Sequence, residues 1–198
     1  MDDSFENLVW ELVPELAAKS PALLNELHKL HTVQTTKKSS TSVVDTFLQA
    51  VQGFSPDSSA WATKEDARLL EMRLAVAVGK LHPRVIAMCP GYEIMANGDI
   101  VNLNLNTIIV CKNRHNTQSG PIGKITVARL HEKATSGYRA IFAQITCPGG
   151  VVNRYNAEDD VEVVCGREIY EIVYGRADFL DSLNRLVVSV FAHHHNYF

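Results

Sequence analysis

Apolar residues recur every three or four positions in several segments of the chain, and this spacing predicts amphipathic helices. The clearest helices begin at Ser20, Ser42 and Thr63, where a serine or threonine can cap the first turn. A shorter helix follows Ser4, and a last one follows Asp178. Each apolar stripe needs a surface to cover, so the helices are expected to pack on another layer of the fold.

The pattern becomes strand-like in the middle of the chain, between Gly91 and Cys147. Asn97-Gly98 separates two apolar runs, and because both residues tolerate a positive φ this pair predicts a tight hairpin turn. Beyond the turn, aliphatic residues alternate with asparagines from Val101 to Asn106, which predicts a half-buried strand. The continuous apolar run from Ile108 to Val110 predicts that this end of the strand is covered on both faces.

A second hairpin is predicted immediately downstream of the first. Residues 122–132 are interpreted as a strand, residues 133–137 as a loop and residues 138–147 as the returning strand. Further on, residues 161–174 are typical of a strand that a turn or bulge interrupts at Gly166. Consecutive hairpins of this kind predict a mostly antiparallel sheet.

Together these segments predict an α+β fold, in which N-terminal helices and one C-terminal helix pack on one face of a mostly antiparallel sheet. We interpret residues 1–198 as a single domain, because the early helices have too little mass to bury their stripes alone. Residues 1–62 form a helical N-terminal part, and a hinge near residues 55–62 is the alternative. Residues 63–198 hold a helix, which should end at His82-Pro83, then the sheet and the last helix.

The composition is that of an ordinary globular protein, with 46% hydrophobic residues. No apolar run is long enough to cross a bilayer, and the acidic start at Met1 does not resemble a secretory signal. Four cysteines lie in apolar sequence without a CxxC pair, which favours buried, reduced thiols. These features predict a cytoplasmic or nuclear protein.

Charge is distributed unevenly along the chain. Between Ile100 and Tyr155, seven cations face one anion, Glu132, although the net charge of the whole chain is -3. Six of the cations lie on the predicted strands and hairpin loop, where they would form a basic face that attracts nucleic acid, an anionic membrane surface or an acidic protein patch. The basic face comprises Lys112, Arg114, Lys124, Arg129, Lys133 and Arg139. The competing interpretation is an ordinary solvated surface.

An acidic segment follows the basic one. Residues 158–181 contain eight carboxylates and two arginines. A basic and an acidic patch on one small molecule can dock head to tail between copies, so a homo-oligomer is a further hypothesis.

No motif in the sequence fixes a reaction. Cys111 and His115 have a zinc-like spacing but lack a second ligand pair, and the run at residues 193–195 is three adjacent histidines, so no metal or other cofactor is predicted. Neither a G-x-G-x-x-G motif nor a P-loop occurs, which argues against the common nucleotide-binding enzymes. A catalytic alternative would combine Cys147 with His115 or His131.

The first hypothesis is therefore a non-enzymatic interaction or self-assembly protein, structural or RNA-binding in character, whose basic hairpin face engages an anionic partner. The alternative hypothesis is a small hydrolase or transferase with a cysteine–histidine site near Cys147.

Overall fold

Five strands form one sheet at the centre of the structure, a computed structural model that describes residues 3–36, 51–53, 59–114, 121–147 and 159–192. Their order in the sheet is the order along the chain, and the first three strands pair antiparallel while the last three pair parallel. The strands are β1 (Glu93–Ile94), β2 (Ile100–Asn102), β3 (Thr107–Arg114), β4 (Arg139–Thr146) and β5 (Val161–Cys165). The sheet is therefore mixed rather than mostly antiparallel.

Helices precede, interrupt and follow this sheet in the described part of the chain. They are α1 (Asp3–Leu12), a 3₁₀ helix (Pro14–Lys19), α2 (Ser20–Thr35), α3 (Ser59–Ala87), α4 (Pro121–Thr135), α5 (Gly166–Tyr174) and α6 (Phe179–Ala192). The predicted α+β class, with N-terminal helices and a C-terminal helix, is confirmed. The helix predicted after Ser42 falls mostly outside the described residues.

Helices cover both faces of the sheet, not one face as predicted. The larger core packs the N-terminal and C-terminal helices against one face, through residues such as Ile109 and Ile141. The smaller core packs α4 against the opposite face, through residues such as Val110 and Phe142. Since neighbouring residues of a strand point to opposite faces, a strand between two cores must be apolar throughout. The prediction that Ile108 to Val110 is covered on both faces is thus confirmed.

The predicted second hairpin is wrong, because its first half is helix α4 and its second half is β4. β4 runs parallel to β3, and parallel neighbours need a crossover connection, which α4 supplies. Among residues 123–135 of α4, the buried ones are Gly123, Thr126, Val127 and Leu130, and they are spaced as one helical stripe, whereas Ile125 faces solvent. A strand would instead have put Ile125 and Val127 on the same face.

Two further boundaries differ from the sequence prediction. Helix α3 continues through Pro83 to Ala87, where Val85 and Ile86 are fully buried in the larger core. The segment after β5 is helix α5 rather than more strand, and it begins at Gly166. Proline and glycine both disfavour a helix. In both places the burial of an apolar helix face outweighs that preference.

No helix among the described residues is both long enough and apolar enough to span a lipid bilayer.

Candidate active site

A cavity of about 430 Å³ lies between the β1–β2 hairpin and the second half of α4. Its lining includes the carboxylates of Glu93 and Asp99, the cationic side chains of Arg129 and Lys133, and the ring of Tyr138. A concave pocket that gathers opposite charges from three separate segments of the chain is a candidate for binding or catalysis.

The hairpin turn places Asp99 in the lining of this cavity. The Met95 amide donates to the Asp99 carbonyl, the Gly98 amide donates to the Met95 carbonyl, and Gly98 has a φ of +84°. The prediction of a hairpin at Asn97-Gly98 is confirmed, with β1 and β2 antiparallel on either side. Asp99 directly precedes β2, and only 3% of its surface is exposed. The turn therefore fixes a carboxylate in a largely buried position.

Two neighbours bind the oxygens of the Asp99 carboxylate. The guanidinium of Arg129 donates to Oδ1 over 2.7 Å, and the side-chain amide of Asn97 donates to Oδ2 over 2.9 Å. Burial raises the pKa of Asp99 above its usual value, and the nearby charges of Arg129, Lys112 and Lys133 oppose that rise. The site thus couples one shielded carboxylate to three cations.

Lys112 approaches the same site from β3. Ile100 pairs with Ile109, so the register continued by one residue sets Asp99 opposite Val110. Lys112 lies two residues beyond Val110 and on the same side of the strand. On the next strand, Gln144 pairs with Lys112 in register, and its side chain is fully buried. Lys112 and Gln144 are therefore neighbours across β3 and β4, and Asp99 lies just before β2, opposite a residue two positions from Lys112.

The six cations of the predicted basic face do not form a hairpin face, because α4 replaces the strand and loop that were to carry three of them. Arg129 and Lys133 line the cavity, and Lys133 lies 5.9 Å from the centre of the Tyr138 ring. Lys124 is exposed near the start of α4. The side chain of Arg114 lies outside the described part of the chain. The predicted binding role of these residues stays a prediction.

Arg139 is held by a carboxylate of its own chain. Its Nε and Nη2 atoms donate to the two oxygens of Glu162, each over 2.8 Å. This pairing raises the pKa of Arg139 and lowers that of Glu162. Glu162 belongs to the acidic segment, which thus meets a basic-face residue within one chain. Docking of the two segments between copies stays a hypothesis beside this pairing within one chain.

The alternative site at Cys147 is not assembled in the structure. Cys147 is joined to Cys165 by a disulfide, with the two Cα atoms 5.9 Å apart, and so offers no thiol nucleophile. His131 instead places Nδ1 within 2.8 Å of Asp160 Oδ1, and His115 lies outside the described residues. The disulfide also corrects the prediction of four reduced thiols: parallel β4 and β5 end side by side and bring the two cysteines together.

Cys111 is a partly buried thiol packed against the larger core. It is a free cysteine on β3, and burial raises its pKa to about 12. Within the described ranges, no three histidine, cysteine, aspartate or glutamate side chains come together as a metal site would require.

Sequence reasoning missed Asp99 and Gln144 as site residues. Asp99 could have been noticed as an acid placed by the turn directly before an apolar strand. Gln144 carried a weaker signal, an amide within the apolar run of β4. A polar side chain inside a strand with two covered faces must have a specific partner.

Comparison with known proteins gives one family. A family model described as Eco47II restriction endonuclease matches residues 19–192, nearly nine-tenths of the chain. Searches of curated proteins and of solved structures found no match. The family match overturns the hypothesis of a non-enzymatic, structural or self-assembling protein, since a restriction endonuclease is an enzyme that cleaves DNA. The family match gives no support to RNA binding. The predicted anionic partner is confirmed only in part, because the family implies a nucleic acid. The chain belongs to the Eco47II restriction endonuclease family.

Proposed function

We propose that this chain is a DNA endonuclease that binds duplex DNA across the cavity and hydrolyses a phosphodiester beside Asp99 and Lys112. The observation that carries the proposal is a buried carboxylate, Asp99, that shares one cavity with Arg129 and Lys133 and also lies within the electrostatic influence of Lys112. This arrangement lies within the residues that match the endonuclease family. The match supplies the class of substrate, and the cavity supplies a place for the reaction.

The cations suit the substrate because each DNA phosphate carries a negative charge. Lys133 is exposed at the cavity, and the side chain of Arg129 is 38% exposed, so both can reach a phosphate oxygen. Lys112 lies closer to the sheet and can stabilise the charge that grows on the phosphate as it is attacked. Lys124 would extend the contacts along the backbone. Arg139 would contribute less, because Glu162 holds it.

Asp99 suits the role of a group that orients water and accepts its proton. Burial raises its pKa, which brings its basicity closer to neutral pH. In the proposed hydrolysis, the water oxygen bonds to phosphorus, one phosphorus–oxygen ester bond breaks, and the departing oxygen takes up a proton. Asp99 accepts the proton that the water loses, and Lys112 faces the phosphate oxygens.

Many nucleases also use divalent cations, which they hold between carboxylates and the substrate phosphate. The described residues do not form such a site as they stand. Both oxygens of Asp99 accept hydrogen bonds from side chains, and Val110, which lies opposite it, has no ligand atom in its side chain. Glu93 lines the same cavity, but a metal site would need at least a third ligand. No step of the mechanism is therefore assigned to a metal ion.

The proposed activity is tested by incubating the protein with duplex DNA of high sequence complexity, in buffer with Mg²⁺, and mapping strand breaks. We expect the native chain to cut at defined positions, and Asp99→Asn to cut on the order of 10²-fold more slowly while still binding DNA. Lys112→Gln should cut more slowly for the same electrostatic reason. Arg68→Gln is the control, because Arg68 pairs with Glu65 on the exposed surface of α3 and takes no part in the cavity.

Two results would contradict the proposal. One is the absence of strand breaks in every duplex offered to the native chain. The other is cleavage by Asp99→Asn at the native rate. A steep loss of DNA affinity with increasing salt would support the predicted contacts to phosphate. Location in the cytoplasm or nucleus and assembly into a homo-oligomer both stay proposals.

A further inference from the structure

Large aliphatic side chains are exposed to solvent beside the cavity. Met95 belongs to the β1–β2 hairpin turn and Leu103 directly follows β2, and both line the cavity although they are 52% and 69% exposed. Leu105 lies on the same turn as Leu103 and is 62% exposed. A single exposed aliphatic residue is ordinary, but a group of them beside a cavity marks a surface that a partner covers.

The turn between β2 and β3 holds Leu103 and Leu105 on a fixed backbone. The Leu105 amide donates to Oδ1 of the buried Asn102 over 3.1 Å. The Asn106 amide donates to the Leu103 carbonyl over 3.3 Å, and the Asn106 carbonyl accepts from the Arg139 amide over 2.7 Å. Because these hydrogen bonds fix the turn in the free protein, little conformational entropy is lost when its side chains bind a partner.

Positive charge lies next to these aliphatic side chains. Arg129 and Lys133 line the same cavity as Leu103, and the charge of Lys112 acts on the Asp99 carboxylate there. A partner that covers this surface must therefore offer both negative charge and an apolar face. Duplex DNA offers both, since its phosphates are anionic and its bases present flat apolar faces once they are parted. The family match favours DNA over an acidic protein as that partner.

We infer that Leu103 inserts between two neighbouring bases of the bound DNA and parts them, while Leu105 extends the apolar contact. Leucine is among the side chains that proteins use as such wedges, and the insertion kinks the duplex. Burial of the aliphatic side chains and the contacts that the bend permits offset the cost of unstacking. Arg129 and Lys133 hold the neighbouring phosphates. This inference rests on the proposed function, because it takes DNA to be the substrate, but it concerns the shape of the bound DNA rather than its cleavage.

The fluorescence of 2-aminopurine tests the inference, because this base is quenched while it is stacked and brightens when its neighbours are parted from it. The probe is duplex DNA of high sequence complexity with 2-aminopurine in place of adenine, and every chain carries Asp99→Asn to keep the DNA intact. We expect binding to raise the fluorescence. Adding Leu103→Ser should abolish most of the rise and weaken DNA binding about tenfold, since apolar burial is lost. Leu103→Met should restore both.

Ile125→Ser is the matched control, because Ile125 is also 69% exposed but lies on α4 outside the cavity lining. It should leave the fluorescence rise and the DNA affinity unchanged. Salt separates the wedge from the phosphate contacts. Lys133→Gln should reduce the slope of log affinity against log salt by about one, whereas Leu103→Ser should leave that slope unchanged. The circular dichroism spectrum of Leu103→Ser should match that of the native chain, since the turn is exposed.

The inference is overturned if Leu103→Ser gives the same fluorescence rise as Ile125→Ser, or if the chain binds no duplex DNA. It is also overturned if light scattering shows the DNA-free native chain to be an oligomer that Leu103→Ser dissociates, since a second copy would then cover these side chains. The proposed function fails separately. A native chain that never cuts DNA, but shows a fluorescence rise that depends on Leu103, keeps the wedge and loses the endonuclease assignment. Cleavage without such a rise has the opposite meaning.

Discussion

His82 and Tyr170 form a buried polar pair in the larger core. Nδ1 of His82 lies 2.9 Å from the Tyr170 hydroxyl, and His82 is only 7% exposed. Burial lowers the pKa of His82 to about 4 and raises that of Tyr170 well above its usual value. Both groups are therefore neutral at pH 7 in the folded protein, and the hydroxyl can donate to the ring nitrogen.

This pair predicts a loss of stability in mild acid. Above the unfolded pKa of about 6.5, neither state protonates His82, so the imidazole contributes no pH dependence. As the pH falls from about 6.5 toward 4, His82 binds a proton in the unfolded chain but stays neutral in the folded chain. The free energy of unfolding therefore decreases. The free energy of unfolding, measured with urea, should fall between pH 7 and pH 4.5 by about 2 to 3 kcal/mol more in the native chain than in His82→Gln.

The control for this prediction is His28→Gln, since His28 is exposed on α2. This variant should lose as much stability between the two pH values as the native chain does. If His82→Gln also matched the native loss, the acid sensitivity would have to come from other groups, and the buried neutral state of His82 would be wrong.

At the scale of elements, α4 shows how far a local pattern can mislead. Its segment contains β-branched residues such as Ile125, Thr126 and Val127, which favour a strand when considered alone. The structure makes this segment the crossover between β3 and β4, and its buried residues follow the helical period. A strand and a helix would bury different residues of this segment. Which of them are buried depends on contacts with β4, which lies outside the segment.

The junction between β5 and α5 offers a test at this scale. A Cβ atom added at Gly166 would lie 2.3 Å from the carbonyl oxygen of Ile145 and 3.0 Å from Cδ2 of Leu180. The first contact is with backbone of β4 and cannot be relieved by a side-chain rotation. We expect Gly166→Ala to lower the free energy of unfolding by about 3 kcal/mol, as measured by urea unfolding.

Gly79→Ala is the matched control, because a Cβ at Gly79 in α3 would find its nearest atom, Asn113 Cβ, at 3.8 Å. Alanine is a better helix former than glycine, so this variant should gain up to about 1 kcal/mol. Equal effects of the two substitutions would show that the contact at Gly166 does not constrain the strand–helix junction.

At the scale of the whole molecule, an arginine ties the N-terminal helices to the C-terminal ones. Arg176 precedes α6, and it donates to the Glu15 carboxylate over 3.0 Å and to the Leu12 carbonyl over 2.7 Å. Its guanidinium also lies 5.3 Å from the centre of the Phe179 ring. These contacts support the prediction of a single domain, which stays a prediction beside the hinge alternative.

Cooperative unfolding distinguishes the two arrangements. Both tryptophans, Trp10 and Trp61, lie in residues 1–62, so their fluorescence follows the N-terminal part while circular dichroism follows all helices. In a single domain the two signals should change at the same urea concentration. Arg176→Gln should lower the free energy of unfolding by about 2 kcal/mol, because charged hydrogen bonds are lost. Both midpoints should then move together to a lower urea concentration.

Arg68→Gln serves as the control here too, since its pair with Glu65 is exposed and should contribute less than about 1 kcal/mol. Separate midpoints for fluorescence and circular dichroism would favour the hinge, with residues 1–62 unfolding on their own.

The sequence by itself determined the features that depend on near neighbours. Helical spacing of apolar residues placed α2, the body of α3 and α6, and Asn97-Gly98 placed the hairpin that carries Asp99. The cations Lys112, Arg129 and Lys133 were visible as an excess of charge. In the structure Arg129 and Lys133 line one cavity, and the charge of Lys112 acts on the Asp99 carboxylate there. Their partner could not be seen, because Asp99 is separated from Arg129 by 30 residues.

Only the tertiary structure decided which apolar segments became strands and which charges became paired. The parallel order of β3, β4 and β5 made α4 a crossover helix, joined Cys147 to Cys165, and brought Arg139 to Glu162. Each of these outcomes depends on burial between segments far apart in sequence, and periodicity describes only the surface that a segment offers. Which surface it covers, and therefore where a site can form, is settled when the layers pack.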